Sequence, residues 1–266
     1  MIAVNRYIGL FFIQFRARLA YRINHFVNFF AALLHILVQY YLWTAIYANR
    51  DVLVGITKEE AISYIIFSFV VSSFITSNVD KIIADRIRSG DIALDLTRPY
   101  PFITGYFAMT MGDSVFNLLA VSLPLAVIGI VIFGARISNN PGNILMFIVT
   151  LGLGYILLFL NDFIIGTLTF WTKYAHGLSK LRWAIVSFFA GAIIPLDFFP
   201  DWLRQIADFL PYKAIYYIPL SWLISFGESR IWWEDVVFQL FWIILLYLLC
   251  KLLWAQAIKR VTVQGG

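Results

Sequence analysis

Residues 79–101 read VDKIIADRIRSGDIALDLTRPYP, a charged interruption between two apolar runs at 61–78 and 106–133. Val79, Ile82, Ile83 and Ile87 fall at i, i+3, i+4 and i+8, which gathers them on one helical face. Asp80, Lys81, Asp85, Arg86 and Arg88 take the other faces. Gly90 can close the helix in the left-handed conformation, and Pro99 with Pro101 prevents helical continuation into the next run. The pattern predicts a short, rigid, charged helix outside the hydrocarbon. Its functional reading is a docking surface for a soluble partner; its plainer reading is a solvated loop that joins two spans.

Outward from this stretch the chain is almost wholly apolar. Its 266 residues are 61% hydrophobic, 18% aromatic and 13% charged, with mean hydropathy +0.82. A soluble domain carries about 25% charged residues, so the bilayer must be the solvent here. Apolar runs at 24–47, 61–78, 106–133, 143–171, 178–196 and 235–254 each approach the roughly 20 residues needed to cross a hydrocarbon core. They are continuously apolar, where barrel strands would alternate, so the fold is expected to be all-α and integral to the membrane, with six spans. Neither a repeat nor a flexible linker divides the sequence, and residues 1–266 are expected to form one transmembrane domain. The first run is too long and too aromatic for a cleaved signal peptide and is expected to stay as an anchor.

Basic residues set the orientation. With a cytoplasmic N-terminus, the inner segments hold fourteen Lys and Arg and the outer segments six. The positive-inside rule then puts both termini in the cytoplasm, in the plasma membrane of the cell. Tyr40, Tyr41, Trp43 and Tyr47 close the first span, and Trp232, Trp233 and Trp254 bracket the last, as interfacial belts do. The net charge of +5 and pI near 9.3 therefore report orientation and acidic lipid. Nucleic acid is not expected as a partner, because the cations are divided among four membrane-proximal segments.

Two further segments are amphipathic. Residues 1–22 place Gln14, Arg18 and Arg22 on one stripe among Phe11, Phe12, Phe15 and Leu19, as an interfacial helix does. Before the last span, Asp201, Arg204, Gln205 and Asp208 share one helical face and Trp202, Leu203, Ile206 and Leu210 the other. Pro195, Pro200, Pro211 and Pro219 punctuate that region, which reads as an outer amphipathic hairpin, either packed over the bundle or acting as an outer gate.

Catalytic and metal-binding constellations are missing from the sequence. There is no GxxxxGK[ST] phosphate loop, so ATP is not expected to bind this chain. His25, His35 and His176 are dispersed, Cys250 is the single cysteine, and neither HExxH nor GxSxG occurs; no metal or catalytic residue is expected. The histidines at 25 and 35 are read as helix-packing residues.

Intramembrane polar residues are the remaining signal. An unpaired charge at mid-bilayer costs about 2.5 to 3.5 kcal/mol on the insertion scale, so Asp162, beside Asn161, must face protein or water. Asp113 is similar but nearer the inner boundary. Each reads as a helix-helix polar contact or as part of a substrate or proton path. Ser68, Ser72, Ser73, Thr76, Ser77 and Asn78 give the second span a mildly polar side that either lines a pathway or promotes close packing.

At residues 88–99, RSGDIALDLTRP resembles the signature of six-span ABC-2 type permeases, with Arg88, Gly90, Asp91, Ile92, Asp95, Leu96, Arg98 and Pro99 matching. The resemblance covers nearly the whole chain in span count, inner amphipathic start and outer hairpin. It implies the membrane half of an ABC exporter, with ATP and Mg held by a separate ATPase subunit. A second permease copy or paralogue would enclose the path. It also implies that residues 80–90 form the coupling helix, with Lys81, Asp85, Arg86, Arg88, Gly90 and Asp91 docking on the ATPase. The cargo would be a hydrophobic or amphipathic solute. Two readings from other classes compete. An ion-coupled secondary transporter would need Asp162 and Asp113 to titrate, and an intramembrane lipid-modifying enzyme would need a catalytic constellation that the sequence does not display.

Overall fold

A computed structural model describes residues 2–20, 22–172, 176–225 and 231–260 of the chain. Lys173, Arg230 and the side chains of Arg22, His25 and His176 lie outside the described residues. Helix α1 (Ile2–Ala20) is followed by α2 (Arg22–Ile46), and a small antiparallel pair, β1 (Val52–Leu53) and β2 (Ile56–Thr57), caps the turn into α3 (Lys58–Phe74). Thr57 and Glu60 form a reciprocal capping box that fixes where α3 begins. The charged interruption folds as α4 (Val79–Ser89) and α5 (Ile92–Leu96). Helix α6 (Phe102–Asn117) passes through a π-helical turn at 118–122 into α7 (Leu123–Val131), where Pro124 lacks the N–H a regular ladder would use. Then come α8 (Pro141–Thr172), α9 (His176–Phe189), α10 (Asp201–Phe209), α11 (Tyr217–Ile224) and α12 (Trp232–Ile258).

Five stretches are long and apolar enough to cross a bilayer: Phe26–Ile46, Lys58–Ser89, Phe102–Val131, Pro141–Thr172 and Trp232–Ile258. They track five of the expected spans. The sixth, expected at 178–196, does not form one long helix. Helix α9 has 14 residues, about 21 Å, and ends at Phe189 before a turn with Gly191 at φ +75° and Pro195. The carbonyls freed by that turn are taken by α3, where Tyr64 Oη donates to Gly191 O at 2.8 Å and Ser68 Oγ to Ala192 O at 2.6 Å. Ser68, read from sequence as a candidate pathway hydroxyl, thus satisfies broken backbone inside the bundle.

The core is a continuous apolar cluster around α3, α8 and α11, with Tyr64, Tyr155, Phe159 and Phe163 among its largest fully buried side chains. Helices α2 and α12 turn Phe26, Phe30, Leu34, Phe241, Ile244 and Leu252 outward, as helices solvated by lipid do. Close crossings use small residues: a Cβ on Gly154 would lie 2.9 Å from Ala214 O, and one on Gly112 would lie 2.5 Å from Phe11 O of α1. Gln239 of α12, fully buried, donates to both Thr150 O and Ala214 O at 2.9 Å and ties the turn after α10 to α8. His35 packs edge-on against Phe69 of α3, with ring centroids 4.1 Å apart.

Candidate functional site

Helix α4 is built as its apolar spacing predicts. Val79 and Ile83 are fully buried, Ile82 and Ile87 half-buried, and Lys81, Asp85 and Arg88 exposed. Gly90 ends the helix at φ +81°. The buried face rests on α8 at Gly166, where an added Cβ would lie 3.0 Å from Asp80 Cα and 3.1 Å from Ile83 Cβ. No larger residue would let α4 approach α8 this closely. Asp80 departs from its expected place on the polar side: it is completely buried.

The signature residues brace the far end of α4. Asp95, 5% exposed, accepts from Tyr106 Oη at 2.5 Å and pairs with Arg98 at 2.9 Å and Arg86 at 3.6 Å. Arg86 also lies 3.5 Å from Asp91. A hydrogen bond to Tyr100 Oη, with the Asp95 carboxylate alongside, pushes the Arg98 pKa above its ordinary value and keeps it charged. Arg86 and Asp91, expected on the docking surface, are therefore committed in large part to holding α4 and α5 in register. Arg88 pairs with Asp85 at 2.8 Å on the open surface, Leu96 is exposed, and Pro99 O accepts from Arg6 at 2.9 Å. Each exposed pair adds little stability but defines a charge pattern.

Behind α4 lies a cavity of about 560 Å³ between the end of α3, the break at 75–78, α8 and α9. Ser72, Thr76, Asn78 and Asp162, all expected near a pathway, line it. Asp162 is 1% exposed, pairs with Arg182 of α9 and accepts from Ser77 Oγ. Arg182 also reaches to 3.8 Å from Asp80, so one guanidinium stands between carboxylates of α4 and α8. Pairing of this kind offsets part of the desolvation that burial imposes on each member. Thr76 has a structural task as well: its carbonyl accepts from Ser114 Oγ at 2.8 Å and its hydroxyl from Asn117 Nδ2 at 3.1 Å.

Two of the expected pathway residues fall elsewhere. Asp113 is held by Arg18 at 2.8 Å and by Gln14 at 3.3 Å, so the polar stripe of α1 faces α6 while Phe12, Ile13 and Leu19 face outward. Asn161 is half-buried and does not line the cavity. Sequence reasoning missed Arg182 as a site residue, along with Asp80, Trp183 and Tyr216. The signal was available for Arg182 alone, since a buried Asp162 demands a cation from some neighbouring span.

At the opposite end, Arg204 of α10 contacts Asp197 at 3.1 Å, Asp208 at 3.2 Å and Tyr217 Oη at 3.0 Å, and Lys213 contacts Asp208 at 3.0 Å. On the apolar face of α10 Trp202 and Ile206 are exposed and Leu203 and Leu210 half-buried, and the neighbouring Phe209 meets the Trp242 ring of α12 edge-on, with centroids 6.2 Å apart.

These elements make a helical bundle of membrane-spanning length with a charged, glycine-seated helix beside a cavity. The family model described as ABC-2 family transporter protein matches residues 33–265, and the chain belongs to that family. No curated protein matches the chain.

Proposed function

We propose that this chain is the permease subunit of an ATP-driven ABC exporter. ATP and Mg are held by separate ATPase subunits, and a second permease copy or paralogue completes the path. In this reading residues 1–266 form one transmembrane domain in the plasma membrane. Helix α9 and the turn after it make the sixth crossing, and both termini lie in the cytoplasm. The cargo is a hydrophobic or amphipathic solute.

The carrying observation is the mounting of α4. Its outer face presents Lys81, Asp85 and Arg88, while its inner face is seated on Gly166 and its end is braced through Arg86, Asp95 and Arg98. A surface helix held this rigidly transmits displacement instead of absorbing it, which is what a docking helix needs when a bound ATPase changes state. Through Asp80 and Arg182 that displacement reaches α9 and the cavity. Asp162 and Asp113 each meet an arginine of a neighbouring helix, as polar contacts between packed helices do.

Asp85→Arg combined with Arg88→Asp tests the docking role, because the swap keeps the intrahelical pair and inverts the charge that a partner meets. Co-purification with the cognate ATPase is expected to fall at least about tenfold, a loss of about 1.4 kcal/mol, with thermal unfolding of the permease unchanged. Undiminished association would remove α4 from the interface.

A further inference from the structure

The cavity behind α4 is lined by cationic, hydroxyl and apolar side chains together. Its lining includes Asn78, Lys81 and Lys180 beside the start of α4, the apolar side chains of Ile75, Leu158 and Val186, and the hydroxyls of Ser72 and Ser187 among them. Lys180 to Ser187 along α9 spans seven residues, about 10 Å of helix. Arg182 and Asp162 line the cavity as well, and there the guanidinium is occupied by Asp162 and, at 3.8 Å, by Asp80. The two lysines, both exposed and so at the mouth of the cavity, form no ion pair among the described residues: Lys81 donates to the neutral Asn78 Oδ1 at 3.1 Å and feels Asp162 only through space. The N-terminus of α4 adds to the same end, since its cap residue Asn78 lines the cavity and makes no capping hydrogen bond. A helix N-terminus favours negative charge. The volume, about 560 Å³, falls within the range of small-molecule sites.

We propose that this cavity binds an amphiphile with an anionic head group and one apolar body of about 10 Å, the head at Lys81 and Lys180 and the body along Ile75, Leu158 and Val186. A phosphate, sulfate or carboxylate head satisfies the two ammonium groups. A cationic head would meet them with like charge, and a neutral head would leave them unpaired. As cargo, this ligand narrows the amphipathic solute of the exporter reading and rests on it. As a bound acidic lipid, the same chemistry needs no transport.

The full chain, in nanodiscs of phosphatidylcholine, is titrated with octyl phosphate, octyltrimethylammonium and octyl maltoside, with and without the cognate ATPase. Octyl phosphate is expected to bind at least about tenfold more tightly than the other two. Lys180→Glu is expected to weaken octyl phosphate at least about tenfold and to leave octyl maltoside within about twofold, which separates loss of charge recognition from loss of the fold. Equal affinities, or preference for the cation, would overturn the proposal. Octyl phosphate that also stimulates ATP hydrolysis identifies cargo; octyl phosphate that binds without changing hydrolysis identifies a resident acidic lipid, and both outcomes uphold the anionic site. Failure of any ATPase to engage the chain would defeat the exporter reading while leaving the binding titration on the chain to stand on its own result.

Discussion

Arg182 shows most clearly what a single residue does in this bundle. It pairs with Asp162, lies 3.8 Å from Asp80, and is itself only 13% exposed at its side chain. Arg182→Met is expected to destabilise the protein by about 3 to 5 kcal/mol, because two buried carboxylates lose their counter-charge together. Adding Asp162→Asn and Asp80→Asn to Arg182→Met should recover at least half of that loss, since a buried ionic cluster replaced as a whole costs little. Thermal unfolding of the detergent-purified variants measures both, and a triple variant no more stable than the single would show that the cluster is not the cause. Half of this arrangement was legible beforehand. A carboxylate in a long apolar run stands out against its neighbours, so Asp162 is conspicuous. Arg182 is not, because an arginine near the end of an apolar run is what a cytoplasmic flank looks like, and charge counting assigns it to orientation. Asp80 sits one position from Val79 and is drawn inward by a partner that helical periodicity does not contain.

At the scale of elements, α4 and α9 show where sequence pattern suffices and where it stops. The limits of α4 follow from local rules: an apolar stripe, charges elsewhere, and Gly90 at φ +81°. Gly90→Val puts a β-branched residue in the left-handed region and is expected to cost about 1 to 2 kcal/mol. The seat of α4 is not local, since Gly166 lies on another helix. Gly166→Leu is expected to lift α4 from α8 at a cost of about 1 to 3 kcal/mol, with faster trypsin cleavage after Arg86 and Arg88. Cleavage at the native rate would mean that α4 does not rest on that glycine. Helix α9 illustrates the opposite case. Residues 178–196 read as a sixth span because apolar content persists through Ala190, Ala192, Ile193 and Ile194. Apolar content constrains what faces lipid or core, not whether the backbone stays helical, and here Tyr64 and Ser68 accept the cost of the break by donating to the freed carbonyls. Only the packing of α3 against that turn makes the interruption tolerable.

For the molecule as a whole, the exporter reading stands or falls on which side of the membrane α4 occupies. Family membership establishes a membrane transport protein; sidedness rests on the excess of Lys and Arg in the segments that share the α4 end. The two ends of the bundle differ enough to be told apart chemically: Arg88 is exposed on α4, and Gln205 is exposed on α10 beside the Arg204 cluster. Cys250 is the single cysteine and is fully buried, its Sγ 3.4 Å from Leu160 O, so Cys250→Ala gives a thiol-free background at the price of a small void. On that background Arg88→Cys and Gln205→Cys each place one thiol at a known end. In intact cells expressing the permease without its ATPase, a membrane-impermeant maleimide is expected to label Gln205→Cys at once and Arg88→Cys only after permeabilisation. The reverse pattern would put α4 outside the cell, out of reach of ATP and of any nucleotide-binding partner. Labelling of both thiols in intact cells would mean that the bundle crosses the membrane an even number of times between residues that the six-span count places on opposite sides, and α9 would lose its place as a crossing.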